Sequence, residues 1–272
     1  MDGPAFDQTA WDGLIATAEA VADAAGAAIR PHFRAGVTAD VKSDDSPVTI
    51  ADRDAEQAMR AVLAQHCPAH GVIGEEFGGE KNSGTGRPEG LCWVLDPIDG
   101  TRAFITGRPV FGTLVALLMD GVPVLGVVDQ PVTGERWIGL RGRPTRFRGR
   151  FGGAAGCRPC PTLAAAELSC TSPEVFAAAD LAGWERLRAA AGRTSFGGDC
   201  YAYGLLALGQ IDVVAEAGMK LWDWAALVPV VEGAGGRLTD WRGQALSVAS
   251  DGHTLAVGDP ALLAQAIAML AA

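Results

Sequence analysis

The run Asp96-Pro97-Ile98-Asp99-Gly100-Thr101 sets two carboxylates three residues apart, directly after the apolar stretch from Leu91 to Leu95. Proline stiffens such a turn and glycine lets the backbone approach a ligand, so both carboxylates can converge on one point. Glu75-Glu76 follows the short apolar pair Val72-Ile73, and Asp223 stands in Trp222-Asp223-Trp224 where another apolar run begins. Glu75, Asp96, Asp99 and Asp223 gathered in one place would repel one another unless cations filled the site. Magnesium suits oxygen donors of this kind and binds substrate phosphates as well, whereas zinc would call for a His or Cys cluster that is absent here. Read alone, the Asp-x-x-Asp-Gly turn has a second explanation, in which its carboxylates only cap the next helix.

Divalent ions lower the pKa of water from its bulk value of about 15.7 and stabilise the attacking and leaving oxygens of an in-line displacement. Thr101 stands where it can orient that water, and the N–H groups opening the next helix can hold phosphate oxygens. The pattern points to phosphate-ester hydrolysis, a reaction slow enough without catalysis to require this concentration of charge.

The elements that must carry these groups are readable from apolar spacing. Trp11, Leu14, Ile15, Ala18, Val21, Ala22, Ala25 and Ile29 predict an amphipathic helix with Thr9 as a cap, and a second helix follows Asp52. Strands are expected over 72–73, 91–95, 112–119, 122–128 and 135–140, with Asp120-Gly121 as a hairpin turn and a mobile, Gly-rich loop over 78–90. From 140 to 156 the chain turns to Gly, Arg and Pro and reads as a connection. Beyond it, strands are expected over 167–171, 211–215, 237–240 and 254–257, and helices over 174–190, 201–208, 224–232 and 260–270. This mixture means layered α/β or α+β architecture, divided into an N-terminal lobe over 1–145 and a C-terminal lobe over 146–272.

With 272 residues and 49% hydrophobic composition the chain can build a real core, which excludes a disordered polyelectrolyte. The formal charge of −10 argues against nucleic-acid binding, and the basic stretch Arg141, Arg143, Arg146, Arg148 and Arg150 reads as a solvated loop. The apolar segment from Val110 to Met119 is too short to span a bilayer, so a soluble cytoplasmic protein is expected. The six cysteines read as free thiols, with Cys157 and Cys160 at the surface of a loop.

Four motifs in order resemble the inositol monophosphatase-like, magnesium-dependent, lithium-sensitive phosphatases: Ser46-Pro47-Val48-Thr49-Ile50-Ala51-Asp52, Gly74-Glu75-Glu76, Asp96 through Thr101, and Trp222-Asp223 followed by Glu232-Gly233-Ala234-Gly235-Gly236. The resemblance implies a five-layer alternating αβαβα sandwich, of the inositol monophosphatase and fructose-1,6-bisphosphatase type, assembled as a homodimer. It implies two to three Mg2+ ions held by Glu75, Asp96, the Ile98 carbonyl, Asp99 and Asp223. Asp52 and Thr101 would activate the attacking water, with Glu75 serving a third metal, and Gly100 and Thr101 would hold the phosphate. Only the resemblance makes Asp52 part of the site.

Within the family, the stretches 99–113, 129–131 with 135–137, 198–203 and 227–236 are similar to histidinol-phosphate phosphatases of bacteria and plants. That similarity places Gly198, Asp199 and Cys200 around the substrate; Asp199 stands where inositol phosphatases have a small neutral residue, Glu216 matches their sugar-hydroxyl ligand, and both could take the ammonium group or imidazole. On residue type alone, Asp199 could equally cap the helix from Tyr201, and Glu216 could be a surface carboxylate at a strand end. The expected partner is a small phosphomonoester. Alternatives are inositol 1-phosphate or a 3'(2'),5'-bisphosphate nucleotide as substrate, or a non-catalytic regulator that binds metal or phosphate.

Overall fold

The computed structural model describes residues 8–41, 47–80 and 90–271. Ser46 of the first motif and residues 81–89 of the expected mobile loop lie outside them. Helices α1 (Gln8–Ile29) and α2 (Ile50–His66) flank two short paired strands, β1 (Ala39–Val41) and β2 (Pro47–Thr49). There follow β3 (Gly71–Gly74), β4 (Gly78–Glu80), β5 (Leu91–Asp99), α3 (Thr101–Ile105), β6 (Gly112–Met119), β7 (Val122–Gln130), β8 (Glu135–Leu140) and β9 (Arg146–Arg148). The remainder comprises β10 (Glu167–Cys170), α4 (Leu181–Ala190), β11 (Arg193–Phe196), α5 (Asp199–Leu206), β12 (Val213–Glu216), α6 (Leu221–Trp224), α7 (Leu227–Gly233), β13 (Arg237–Thr239), β14 (Thr254–Val257) and α8 (Leu263–Ala271).

Apolar residues on alternate positions of the strands decide the layers. The seven-stranded sheet, ordered β4-β3-β5-β6-β7-β8-β9, turns Trp93, Leu95, Val115, Leu117 and Val127 toward Ala18, Val21, Ala25 and Met59 of α1 and α2. Its other face, with Val94, Leu114, Ala116 and Trp137, meets α5, α6 and α7. Those helices rest in turn on Val214, Leu238 and Ala256 of a five-stranded sheet, ordered β11-β10-β12-β14-β13. Leu168, Val213, Leu255 and Val257 point the opposite way, onto Trp184 and Leu187 of α4 and Ala266 and Leu270 of α8. Both sheets are therefore covered on both faces, and the molecule is the five-layer αβαβα sandwich expected.

The middle layer packs directly on the backbone of the larger sheet where Gly126 and Gly139 are cross-strand partners beneath α7. A Cβ on Gly126 would stand 2.0 Å from the Ala226 carbonyl oxygen, and one on Gly139 would stand 2.3 Å from Pro229 backbone.

Several elements differ from expectation for identifiable reasons. The helix expected over 224–232 is two pieces, because Pro229 cannot donate to the Ala225 carbonyl and would clash with it. That expected over 174–190 is a 3-10 turn, Pro173–Val175, then α4, since Phe176 leaves the helix to stack on Trp184 at 4.7 Å. Thr9 lies inside α1 and is not its cap. The connection over 140–156 contains β9, in which Phe147 packs on Trp137 at 4.9 Å while Arg146 and Arg148 stay exposed. Gly78 to Glu80 pair with β3. Asp120 and Gly121 do form the hairpin turn, with φ of 50° and 77°. All six cysteines are free, but Cys157 and Cys160 are not surface thiols. Their strand of chain adheres to the middle layer through bonds from Gly156 to Ala207 and Cys157 to Ala234, leaving Cys160 4% exposed and pushing the Cys157 thiol up to about 11 by burial. Among the described residues, no helix is long and apolar enough to cross a membrane.

Candidate active site

The carboxylates converge because of an irregularity in β5. In a regular strand, residues three apart face opposite ways, so Asp96 and Asp99 would be separated by the sheet. Against β6, however, Asp96 pairs with Leu114 while Asp99 pairs with Gly112, which gives β5 one extra residue. Pro97 sits in that bulge, where no ladder N–H is needed, and its carbonyl takes the Thr113 hydroxyl at 2.8 Å. The bulge swings both carboxylates to one side. There, oxygens of Asp96, Asp99 and Asp223 lie within 4.8 Å of one another.

Each neighbour reaches this point from a different layer. Strands β3 and β5 run parallel with Gly74 opposite Leu95, and the Glu75 N–H continues the ladder to the Leu95 carbonyl at 3.1 Å, setting Glu75 beside Asp96. Asp223, in the first turn of α6, accepts the Lys220 N–H at 2.6 Å. Asp99 accepts the Cys200 N–H at 2.6 Å, which ties β5 to the start of α5. Neither Asp96 nor Asp99 caps α3: its N-cap is Gly100, without a side-chain bond, and Asp96 Oδ1 is buried with no hydrogen-bond partner. The capping explanation of the turn is excluded.

Asp52 is fully buried in the first turn of α2, where its carboxylate accepts the Thr49 N–H at 2.8 Å and hydroxyl at 2.6 Å. Its other oxygen is 3.4 Å from the Thr101 hydroxyl, which also lies 3.2 Å from the Ile98 carbonyl. The site thus unites α2, the β3 end, the β5 bulge and α6. Asp199 stands against it: a Cβ on Gly100 would be 2.9 Å from the Asp199 carboxyl carbon, and Gly100 itself has φ of 88°. Asp199 opens α5 with φ of 44°, and the N-cap is Gly198, so the capping alternative for Asp199 also fails. Glu216 ends β12 but is only 5% exposed, accepting the Thr171 N–H at 2.6 Å, and is not a surface carboxylate.

Two cavities adjoin across Asp199. The larger, about 310 Å³, includes Glu75, Gly100, Thr101, Arg102, Arg108 and Ser172 in its lining. The smaller, about 160 Å³, is lined by Asp99, Asp199, Glu216 and Asp223 together with Tyr203, Val175 and Met219, and among the described residues by no cationic side chain. Sequence reasoning missed Arg102 and Arg108, although both stand in the stretch following Asp99; their exposure left no apolar or acidic signature. Burial pushes Asp96 and Asp99 well above the usual carboxylate range, with further elevation from their acidic neighbours. Asp52 is raised by burial against its bonds to Thr49. Burial also pushes Asp223 up to about 7 and Glu216 to about 8, while Asp199 rises to about 6 against the pull of Arg108 and Arg102.

These elevated carboxylates give the metal-free protein a defined pH response. Raised folded-state values mean that the native state holds more protons than the unfolded chain, so their contribution to stability is present near pH 4 and is lost as pH rises through about 7 and 8. A divalent cation that neutralises the cluster removes that loss. The rise in melting temperature on exchanging EDTA for Mg2+ should accordingly grow between about pH 5 and about pH 8.5. A rise that is flat or shrinks over this window would contradict the charge assignment.

The profile of the inositol monophosphatase family matches residues 10–271. The chain is 45% identical over 272 residues to the chloroplastic bifunctional phosphatase IMPL2 of Arabidopsis thaliana, covering 97% of this chain and 77% of that protein. It is 41% identical over 238 residues to the histidinol-phosphatase of Mycobacterium tuberculosis, covering 83% and 86%. Among solved structures, an inositol monophosphatase from Zymomonas mobilis superposes with a TM-score of 0.86 at 47% identity, covering 97% of this chain and 99% of that one.

Proposed function

The chain belongs to the inositol monophosphatase family of phosphomonoester hydrolases, and we propose that it is a magnesium-dependent histidinol-phosphate phosphatase, converting L-histidinol phosphate and water to L-histidinol and phosphate. The donor set fits Mg2+: it is all oxygen, three carboxylates meet within 4.8 Å, and Asp96 Oδ1 is buried with no partner to satisfy it. Glu75, Asp96, Asp99, Asp223 and the Ile98 carbonyl would hold two to three ions. When bound, the ions supply charge neutralisation and make water acidic enough to attack near neutral pH.

The chain's own groups do the rest. Asp52, raised by burial, takes the proton of the attacking water, while the Thr101 hydroxyl beside it fixes the direction of approach. Backbone N–H groups of Gly100 and Thr101 steady the phosphoryl oxygens, and the positive φ of Gly100 together with the Asp199 carboxylate packed against it leaves no room for a side chain there. Arg102 and Arg108 line the larger cavity and draw an anionic ester toward it in a protein of net charge −10.

One observation carries the substrate reading: the smaller cavity offers Asp199 and Glu216 beyond Asp99 and Asp223, which would hold metal, with no cationic side chain lining it among the described residues. Such a space suits an ammonium group, and Val175 and Met219 suit the flat imidazole. A neutral polyol has no cation to pair with these carboxylates. Inositol 1-phosphate is the second reading, favoured by the Zymomonas mobilis relative at 47% identity. The deciding experiment measures phosphate release from histidinol phosphate, inositol 1-phosphate and 3'-phosphoadenosine 5'-phosphate, with Mg2+ and with EDTA. Histidinol phosphate should give the highest kcat/KM, and EDTA should abolish release. A preference for inositol 1-phosphate would overturn the substrate assignment, and undiminished release in EDTA the metal assignment.

A further inference from the structure

Glu56 has no part in the reaction described above, yet it is fully buried, one helical turn beyond Asp52 on α2. Its carboxylate accepts the backbone N–H of Glu76 at 2.7 Å and of Phe77 at 3.3 Å, and the Arg60 guanidinium at 2.8 Å. Arg60 also donates to the Gly78 carbonyl. The carboxylate fills the space that the missing side chain of Gly74 leaves open, since a Cβ there would be 1.9 Å from Glu56 Oε1. The turn joining β3 to β4 is thus wrapped around an anion supplied by a helix. Because residues four apart share one helix face, the face that presents Asp52 to Thr101 also presents Glu56 to the Glu75 turn.

We propose that Glu56 is a positioning residue: it fixes the backbone of Glu75 to Phe77 so that the Glu75 carboxylate faces Asp96, and α2 thereby holds Asp52 and Glu75 in one fixed relation. The proposal rests on the divalent-metal reading of the site. A burial this complete is tolerated because the charge has three donors, and those same bonds leave the turn no alternative path. In the Glu56→Gln variant the amide must aim an NH2 group at one of these donors, so the turn loosens while side-chain volume is kept. Partners that orient a metal ligand typically cost about 10–100-fold in affinity or activity when removed.

The test measures Mn2+ binding by electron paramagnetic resonance on the full chain, with a thermal melt of each variant in EDTA. Glu56→Gln should raise the Mn2+ dissociation constant about 10–100-fold. In a Glu75→Gln background the same change should add less than about twofold, because the two act through one ligand. Arg60→Gln, which loosens the clamp without touching the carboxylate, should weaken Mn2+ binding in the same direction and serves should Glu56→Gln not fold. Unchanged affinity in a folded Glu56→Gln protein, or in folded Arg60→Gln where it stands in, overturns the proposal, as does an equal loss with and without Glu75. Failure of the unsubstituted protein to bind Mn2+ rejects the metal reading, and the proposal with it.

Discussion

Asp96→Asn should reduce kcat/KM for phosphate release by about 10³-fold or more while raising the melting temperature measured in EDTA. The two effects have opposite signs because one side chain serves opposite ends. In the metal-free protein Asp96 is 1% exposed, next to Glu75, Asp99 and Asp223, and one of its oxygens has no hydrogen-bond partner. Burial and the acidic neighbours push this carboxyl well above its usual range, so a neutral amide of the same shape removes the cost of keeping it protonated or ionising it as pH rises, and offers a donor to Glu75. On the reading proposed above, the same change takes away one of the carboxylates that would hold the ions. Residues that merely orient a metal ligand cost about 10–100-fold when altered, so loss of a carboxylate that would itself hold the ions should cost more. Steady-state kinetics across Mg2+ concentrations and melts in EDTA check both halves. Near-normal activity at any Mg2+ concentration would remove Asp96 from the centre of the site, and a lower melting temperature in EDTA would mean that its charge is compensated in a way the geometry does not contain.

The acidic turn was legible because its residue types are costly to place together: Asp96, Asp99 and Asp223 make sense as a cluster only with a cation. The layers were legible from strand alternation and helix spacing, since both sheets are buried on two faces. What stayed hidden depends on register and long-range closure. Nothing local in Leu91 to Asp99 encodes the bulge that turns Asp96 and Asp99 to one side; it exists only against Leu114 and Gly112. Asp52 was reached through family resemblance alone, because its proximity to Thr101 comes from packing α2 against the end of β5, 49 residues away in the chain. Glu56 looked like any polar position on a helix until Gly74 supplied the space for it. Strands β9 and β11 carry mostly polar, exposed residues at sheet edges, so their alternation had no apolar signal. Pro229 is a local signal of another kind: it stands inside the helix expected over 224–232, which runs straight through it, and the chain instead divides into α6 and α7.

Asp199→Asn should lower kcat/KM for histidinol phosphate by about 10–100-fold, leave inositol 1-phosphate turnover within about threefold, and leave the Mg2+ requirement intact. The choice of asparagine follows from the backbone. Asp199 opens α5 with φ of 44°, a region that Asp and Asn enter readily and β-branched residues do not. Asp199→Thr, the replacement that removes most of the carboxylate's character, would add strain at the residue preceding Cys200, whose N–H holds Asp99, and so would disturb the metal site as well. Asparagine keeps the shape and the contact with Gly100 while removing the charge. A hydrogen bond to a charged group contributes about 1.5–3 kcal/mol, which corresponds to the expected loss for a substrate carrying an ammonium group. A substrate with only hydroxyls has no cation to lose a partner, and the neutral amide still accepts and donates. Glu216 faces the same cavity and provides the internal check, since Glu216→Gln should discriminate between the two substrates in the same direction. Equal losses on both substrates would show that Asp199 acts on the metal side of the partition through Asp99 and has no part in choosing the leaving group.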